Sequence, residues 1–164
     1  MAQVFPDNPS AHLRAGLELE FLGEYQQAEK FLRNAVTLAP DDPAMLTAAS
    51  FTLARIAVKE GNDAEAMRLL EYVIRTNPND VDARVELADI RHKTGQYEAA
   101  VRILQEALSF DPRNSRAHFL LGKVFTRLGK PAEAEQHFKT FQDLEKSGAE
   151  TQSEKPTVYT QSVK

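Results

Sequence analysis

The residues with most chemical potential in this chain are four histidines, His12, His92, His118 and His137. Imidazoles hold a metal or relay protons when several converge, and on one helix that means spacings of three or four residues. No two of these stand so close in sequence, and no HExxH occurs. No metal site and no cofactor are therefore expected. His12 and His118 are expected to half-bury within a helix pair, and His92 and His137 to be solvated. The chain has no cysteine, which removes disulfides, thiolate nucleophiles and Cys-based zinc sites. Asp82 and Asp89 share a helix face, but about 10 Å apart along the axis they are too widely set for an acid–base pair with nothing to exclude water. Gly122-Lys123 to Gly129-Lys130 has the wrong spacing for a phosphate loop and lacks its Ser or Thr. No GxSxG is present. No catalytic residues are assigned, and the expectation is that the chain is not an enzyme.

What the chain does contain is a repeat. Gly23, Gly61, Gly95 and Gly129 are spaced by 38, 34 and 34 residues, and Pro40, Pro78 and Pro112 follow at 38 and 34. Five residues after each glycine stands an alanine: Ala28, Ala66, Ala100, Ala134. Seven before it is Gly16, Ala54, Ala88 or Gly122, and nine after it Leu32, Leu70, Leu104 or Phe138. Each unit reads as two helices. In the last, Phe119, Leu120, Leu121, Val124, Phe125 and Leu128 recur at helical spacing. Asn114 sits at the N-cap, Gly129 supplies the left-handed turn, and Pro131 opens the second helix without losing an N–H partner. The small residues are expected to let the two helices cross closely, with Gly16 or Gly122 facing the alanine of the second helix. One such hairpin cannot bury its apolar faces alone, so the units must stack.

Length and composition agree with a short repeat array. The chain has 164 residues, 42% hydrophobic and 27% charged, the balance of a globular protein. A net charge of -4 argues against a nucleic-acid partner. No apolar run approaches the roughly 18 residues of a membrane span, so no membrane partner is expected. No leader is visible between Met1 and Ser10, which makes the cytoplasm the default location; a domain trimmed from a periplasmic or secreted precursor would read the same.

The boundaries follow from the period. Residues 1–8 are a lead, 9–42 the first unit, 47–80 the second, 81–114 the third and 115–148 the fourth. The extra residues 43–46 amount to one helical turn and are placed at the start of the second unit's first helix, since Ala44, Met45 and Leu46 are good helix formers. The segment 149–164, polar and containing Pro156, is expected to be a disordered tail.

With Tyr25, Tyr97, Leu53, Leu87, Leu121, Ala35 and Ala107 added to the glycines, alanines and prolines above, the chain resembles the tetratricopeptide repeat family from Pro9 to Gly148. It departs from the family where an early tryptophan is common; His12, Ser50, Arg84 and His118 stand there. The resemblance implies an all-α fold: a right-handed superhelical solenoid of four helix-turn-helix hairpins, eight helices in all. Its concave inner face binds peptides or partner domains, and no reaction is implied.

Projecting that geometry, the first helix of each hairpin lines the concave face. The candidate binding residues are Leu13, Leu17 and Phe21; Phe51, Arg55 and Lys59; Val85, Asp89 and Lys93; and Arg116, Phe119, Lys123 and Arg127. Leu13, Phe51, Val85 and Phe119 occupy equivalent places and would form an apolar stripe. The face also carries six basic residues, Arg55, Lys59, Lys93, Arg116, Lys123 and Arg127, against the acids Glu20, Asp82 and Asp89. The expected partner is a peptide or helical segment of another protein, apolar with acidic groups. The rival is a structural module that self-associates, or a piece of a larger assembly. The family's clamp for chaperone C-termini needs Lys and Asn in the first unit, Asn in the second, and Lys and Arg in the third. Leu13, Leu17, Thr52, Asp82 and Glu86 stand there; starting one unit later gives Phe51, Arg55, Glu86, Arg116 and Leu120. Neither set matches, so that function is not expected.

Overall fold

A computed structural model of the chain describes residues 7–153, with side chains described as far as Ser147. Residues 1–6 and 154–164, most of the expected lead and tail, lie outside the described residues. Within them the chain is eight helices and no strand: α1 (Pro9–Phe21), α2 (Tyr25–Leu38), α3 (Pro43–Lys59), α4 (Asp63–Thr76), α5 (Val81–Lys93), α6 (Tyr97–Phe110), α7 (Ser115–Arg127) and α8 (Pro131–Ser153). Each odd helix forms a hairpin with the even helix after it, and each hairpin stacks on the next.

Local chemistry fixes where the helices begin and end. Asn8, Asp42, Asn62, Asp80 and Asn114 each turn a side-chain oxygen onto first-turn N–H groups, which stabilises a helix by about 1 kcal/mol per cap. The four turn glycines have φ of 80°, 76°, 78° and 70°, a left-handed conformation that costs a side-chain-bearing residue dearly. Past each glycine the next N–H reaches back five residues: Glu24 to the Leu19 carbonyl, Asn62 to Ala57, Gln96 to Arg91 and Lys130 to Phe125, at 2.8–2.9 Å. This closes the first helix of every hairpin in the same way and sets one angle of departure for the second.

The close crossing is as tight as the small residues suggest, although its partner differs. A Cβ on Gly16 would lie 2.6 Å from Leu32 Cγ and 3.3 Å from the Ala28 carbonyl. On Gly122 it would lie 2.6 Å from the Phe138 ring. The large residue one turn beyond the alanine covers the glycine; the alanine supplies the room. Ala28, Leu32, Ala66, Leu70, Ala100 and Leu104 are wholly or almost wholly buried, and three apolar clusters run the length of the stack.

Two helices are longer than their counterparts: α3, by the turn expected from residues 43–46, and α8, which departs from the sequence reading. α3 has 17 residues where α1, α5 and α7 have 13, the additional turn lying at its start. α8 has 23 and continues to Ser153, past the start of the expected tail at 149. Polar composition there does not mean loss of helix. Between Lys146 and Ser153 no proline interrupts the backbone, and Gly148 is a cost that a continuing helix absorbs.

Candidate functional site

The first helices α1, α3, α5 and α7 lie side by side, with α1 touching α3 and α5 touching α7. Every candidate binding residue is on this layer, at register positions that repeat from helix to helix. Leu17, Arg55, Asp89 and Lys123 are equivalent, as are Phe21, Lys59, Lys93 and Arg127.

The apolar stripe is broken. Leu13 and Phe51 are half-buried against the clusters beneath them, and Phe119 is 38% exposed. Val85, at the same register, is 1% exposed and belongs to the core with Leu120 and Leu121. It therefore cannot meet a ligand, which corrects its assignment to the face. The reason is reach: a valine ends within the packing layer, whereas phenylalanine in the same position extends beyond it. At the other end Leu17 is exposed and Phe21 is 87% exposed, so α1 presents an apolar edge.

The charges are partly spent on one another. Arg55 lies 3.0 Å from the buried Glu20, joining α3 to α1. Lys93 pairs with Asp89 along α5 at 2.7 Å. Arg116 pairs with Glu86 at 2.7 Å, joining α7 to α5. Glu86 was not counted in the face from sequence; its side chain reaches sideways to the neighbouring helix, so the face has six cations against four carboxylates. The three carboxylates are largely buried, but the cations are about half-exposed and water screens them, so each pair stabilises by about 1 kcal/mol or less. Lys59, Lys123 and Arg127 have no acidic partner among the described residues. Lys123 Nζ lies 5.6 Å from the centre of the Phe119 ring, a cation–π contact.

His92 registers the resulting field. Its pKa is held below the ordinary value first by burial, then by the positive charges of Lys123, Arg127 and Lys93, with Asp89 opposing them. Its Nδ1 is buried without a hydrogen-bond partner, so the imidazole is not the solvated one expected. His137 is not solvated either. It stacks on Phe125 at 5.5 Å and 11° and meets His118 across the last hairpin, Nδ1 to Nδ1, at 3.0 Å. His118 Nε2 lies 3.1 Å from the Pro112 carbonyl and must donate to it. That leaves His118 Nδ1 as acceptor and His137 Nδ1–H as donor. Burial, then the neighbouring His118, lower the His137 pKa. The signal for this pair lay in the register: His137 stands at the position of Phe31, Leu69 and Ile103, and Phe31 faces His12 in the first hairpin. Among the described residues no three His, Asp or Glu side chains gather as metal ligands. No described helix is long and apolar enough to cross a membrane.

Sequence models described as "Tetratricopeptide repeat" match residues 9–42, 57–109 and 92–143. The chain is 23% identical over 139 residues to the TPR repeat-containing protein YpiA of Bacillus subtilis, covering 85% of this chain and 32% of that protein. It is 33% identical over 82 residues to the TPR repeat-containing thioredoxin TTL4 of Arabidopsis thaliana, half of this chain and 12% of the relative. It thus spans about a third or less of these proteins. Among solved structures it is similar to MamA, with a TM-score of 0.78 and 23% identity over 89% of this chain and 83% of that one. A MamA fragment from Desulfovibrio magneticus RS-1 gives 0.75 and 26%, over 86% and 77%.

Proposed function

The chain belongs to the tetratricopeptide repeat family, and we propose that it is a non-catalytic scaffold holding an extended or helical segment of another protein against α1, α3, α5 and α7. One observation carries this reading. On a chain of net charge -4, Lys123 and Arg127 stand without acidic partners among the described residues, and Lys123 lies against the exposed ring of Phe119. An uncompensated cation next to an exposed aromatic ring suits a ligand that brings a carboxylate and an apolar side chain together. The ligand's acidic part would lie over α5 and α7, and its apolar part would extend toward Leu17 and Phe21. Ordering a flexible segment has an entropic cost, so affinity on the order of micromolar is expected. The chaperone clamp finds no support: Thr52, where it needs an Asn, is buried and donates to the Ala48 carbonyl.

Reversing Lys123 and Arg127 to Glu tests the reading. A partner recovered with the wild-type chain should be lost with this variant and kept when the outer-face charges Lys30 and Arg102 are reversed. Loss with the outer-face variant alone would place the interaction elsewhere.

A second reading has its own observation. Phe21 and Leu22 are 87% and 65% exposed at the first turn, an apolar edge suited to another copy of the chain. Sedimentation over a range of concentrations decides it: association that Phe21→Ser abolishes supports self-assembly, and a monomer throughout rules it out.

A further inference from the structure

A pocket of about 570 Å³ opens at the start of α3. One wall is apolar, from Ala44, Ala48 and Phe51; the other is polar and acidic, from Thr76 at the end of α4 and Asp80 and Asp82 at the start of α5. No lysine, arginine or histidine lines it. The pocket depends on the additional turn. α1, α5 and α7 begin at Pro9, Val81 and Ser115, all in register with Thr47, whereas α3 begins at Pro43. Pro43 and Ala44 therefore belong to a turn that the other first helices lack, and both line the pocket.

Its two carboxylates differ. Asp80 is occupied: Oδ1 accepts the Ala83 N–H at 2.9 Å as helix cap, and Oδ2 accepts from Asn77 at 3.3 Å. Asp82 is exposed and has no hydrogen bond or ion pair among the described residues. Arg116, which feels its charge, is held by Glu86 at 2.7 Å.

We propose that this pocket is a subsite for a lysine or arginine side chain of a bound partner segment, its aliphatic stem lying on Ala48 and Phe51 and its charged head meeting Asp82. The long basic side chains combine an apolar stem with a terminal cation, which is the pattern of these walls. A wholly apolar side chain would desolvate Asp82 without compensation, and an acidic one would be repelled. The inference rests on the first-helix layer being the binding face and makes that face bipolar. Asp82 lies at one edge and Lys93 eleven residues further along α5, about 16 Å away. About five extended residues cover that distance, so the partner segment carries a basic and an acidic residue about that far apart.

Amide NMR of the whole chain tests this with single-residue probes: the Nα-acetyl methylamides of lysine, norleucine and glutamate. The lysine probe should give saturable shifts at Ala44, Ala48, Phe51 and Thr76, with the norleucine probe roughly two- to fivefold weaker, the range of an exposed ion pair. Asp82→Asn should make the two equal, and Thr76→Lys, placing a cation of the chain's own at the pocket, should abolish the lysine shifts. Both positions are exposed, so the rest of the spectrum should stay unchanged as proof of folding. Absence of lysine shifts, equal binding of lysine and norleucine by the wild type, or indifference to both substitutions overturns the subsite. The glutamate probe separates this from the broader reading, because it should shift His92, Lys93 and Arg127 instead. If it fails there while lysine still binds, the acidic-ligand reading falls and the pocket stands.

Discussion

The first and last hairpins are built alike and present opposite chemistry. Both cross at a glycine, Gly16 or Gly122, and both place a histidine, His12 or His118, inside the helix pair. Yet where α1 has Leu17 and Phe21, the same registers of α7 hold Lys123 and Arg127. Where α2 has Phe31 beside His12, α8 has His137 beside His118. The residues that make the hairpin sit at its crossing, turn and caps; those that give the face its character sit one position away and vary freely. A repeat can therefore keep its fold while grading its surface from apolar at one end to cationic at the other.

The glycines give the largest effect and the sharpest test of the shared construction. Gly16→Ala and Gly122→Ala should each destabilise by about 1–3 kcal/mol, as overpacking of a close crossing usually does. The costs should differ. Leu32, which the new methyl strikes in the first hairpin, is fully buried and enclosed by α3; Phe138 is only half-buried at the open end and can swing outward. Thermal unfolding should show the larger loss for Gly16→Ala. Equal losses would mean that the last hairpin is as tightly enclosed as the first.

The graded face comes next. Phe119→Ala should weaken binding of an acidic–apolar segment by about 1–2 kcal/mol, mainly through faster dissociation. Phe119 also contacts Phe138 and Phe141 at 6.0 and 5.2 Å between ring centres, so the variant's melting temperature must be measured beside its affinity. Lys123→Glu with Arg127→Glu should act on the other rate, slowing association and reducing its salt dependence. Phe21→Ala, at the apolar end, should leave that salt dependence untouched. Should the reversal leave association and its salt response as in wild type, the cationic end has no part in capture.

How much of this was legible in the sequence divides along the same line. Crossing, turn and cap residues declare themselves because backbone geometry admits few alternatives: Gly129 at a left-handed φ and Asn114 at a cap have mechanistic reasons to recur. The family geometry implied by the resemblance, projected onto the repeat, put Arg55, Lys93 and Phe119 on one layer of first helices. Depth was not, since it depends on what the neighbouring helix contributes; Val85 shares a register with Phe119 and is buried all the same. Contacts between helices were equally silent. Glu86 reaches Arg116 from outside the projected face, and His118 meets His137 across 19 residues.

The smallest effect, and the one that isolates the two histidine environments, is a dependence of stability on pH. His137 has its pKa lowered from 6.5 by burial and by His118, so the folded state takes up this proton less readily than the unfolded chain. A group lowered in this way contributes full stability above the ordinary histidine pKa, and that contribution is lost as pH falls from about 6.5 through the lowered folded value. The effect is modest because His137 is half-exposed and water screens its charge. His137→Phe copies the first hairpin, where Phe31 faces His12 at 5.5 Å. The variant should be less stable than wild type at neutral pH, since His118 Nδ1 loses its donor and buried acceptors are costly to leave unpaired. Its disadvantage should then shrink as the solution is acidified from about pH 7.5 to about pH 5, because the wild type alone has the His137 proton to resist. His92, also lowered, remains in both proteins and cancels from the difference. A stability gap that stays constant over that range would show that the His118–His137 contact takes up its proton as easily as open solution does, and that the exchange of histidine for phenylalanine between the two hairpins is a matter of packing alone.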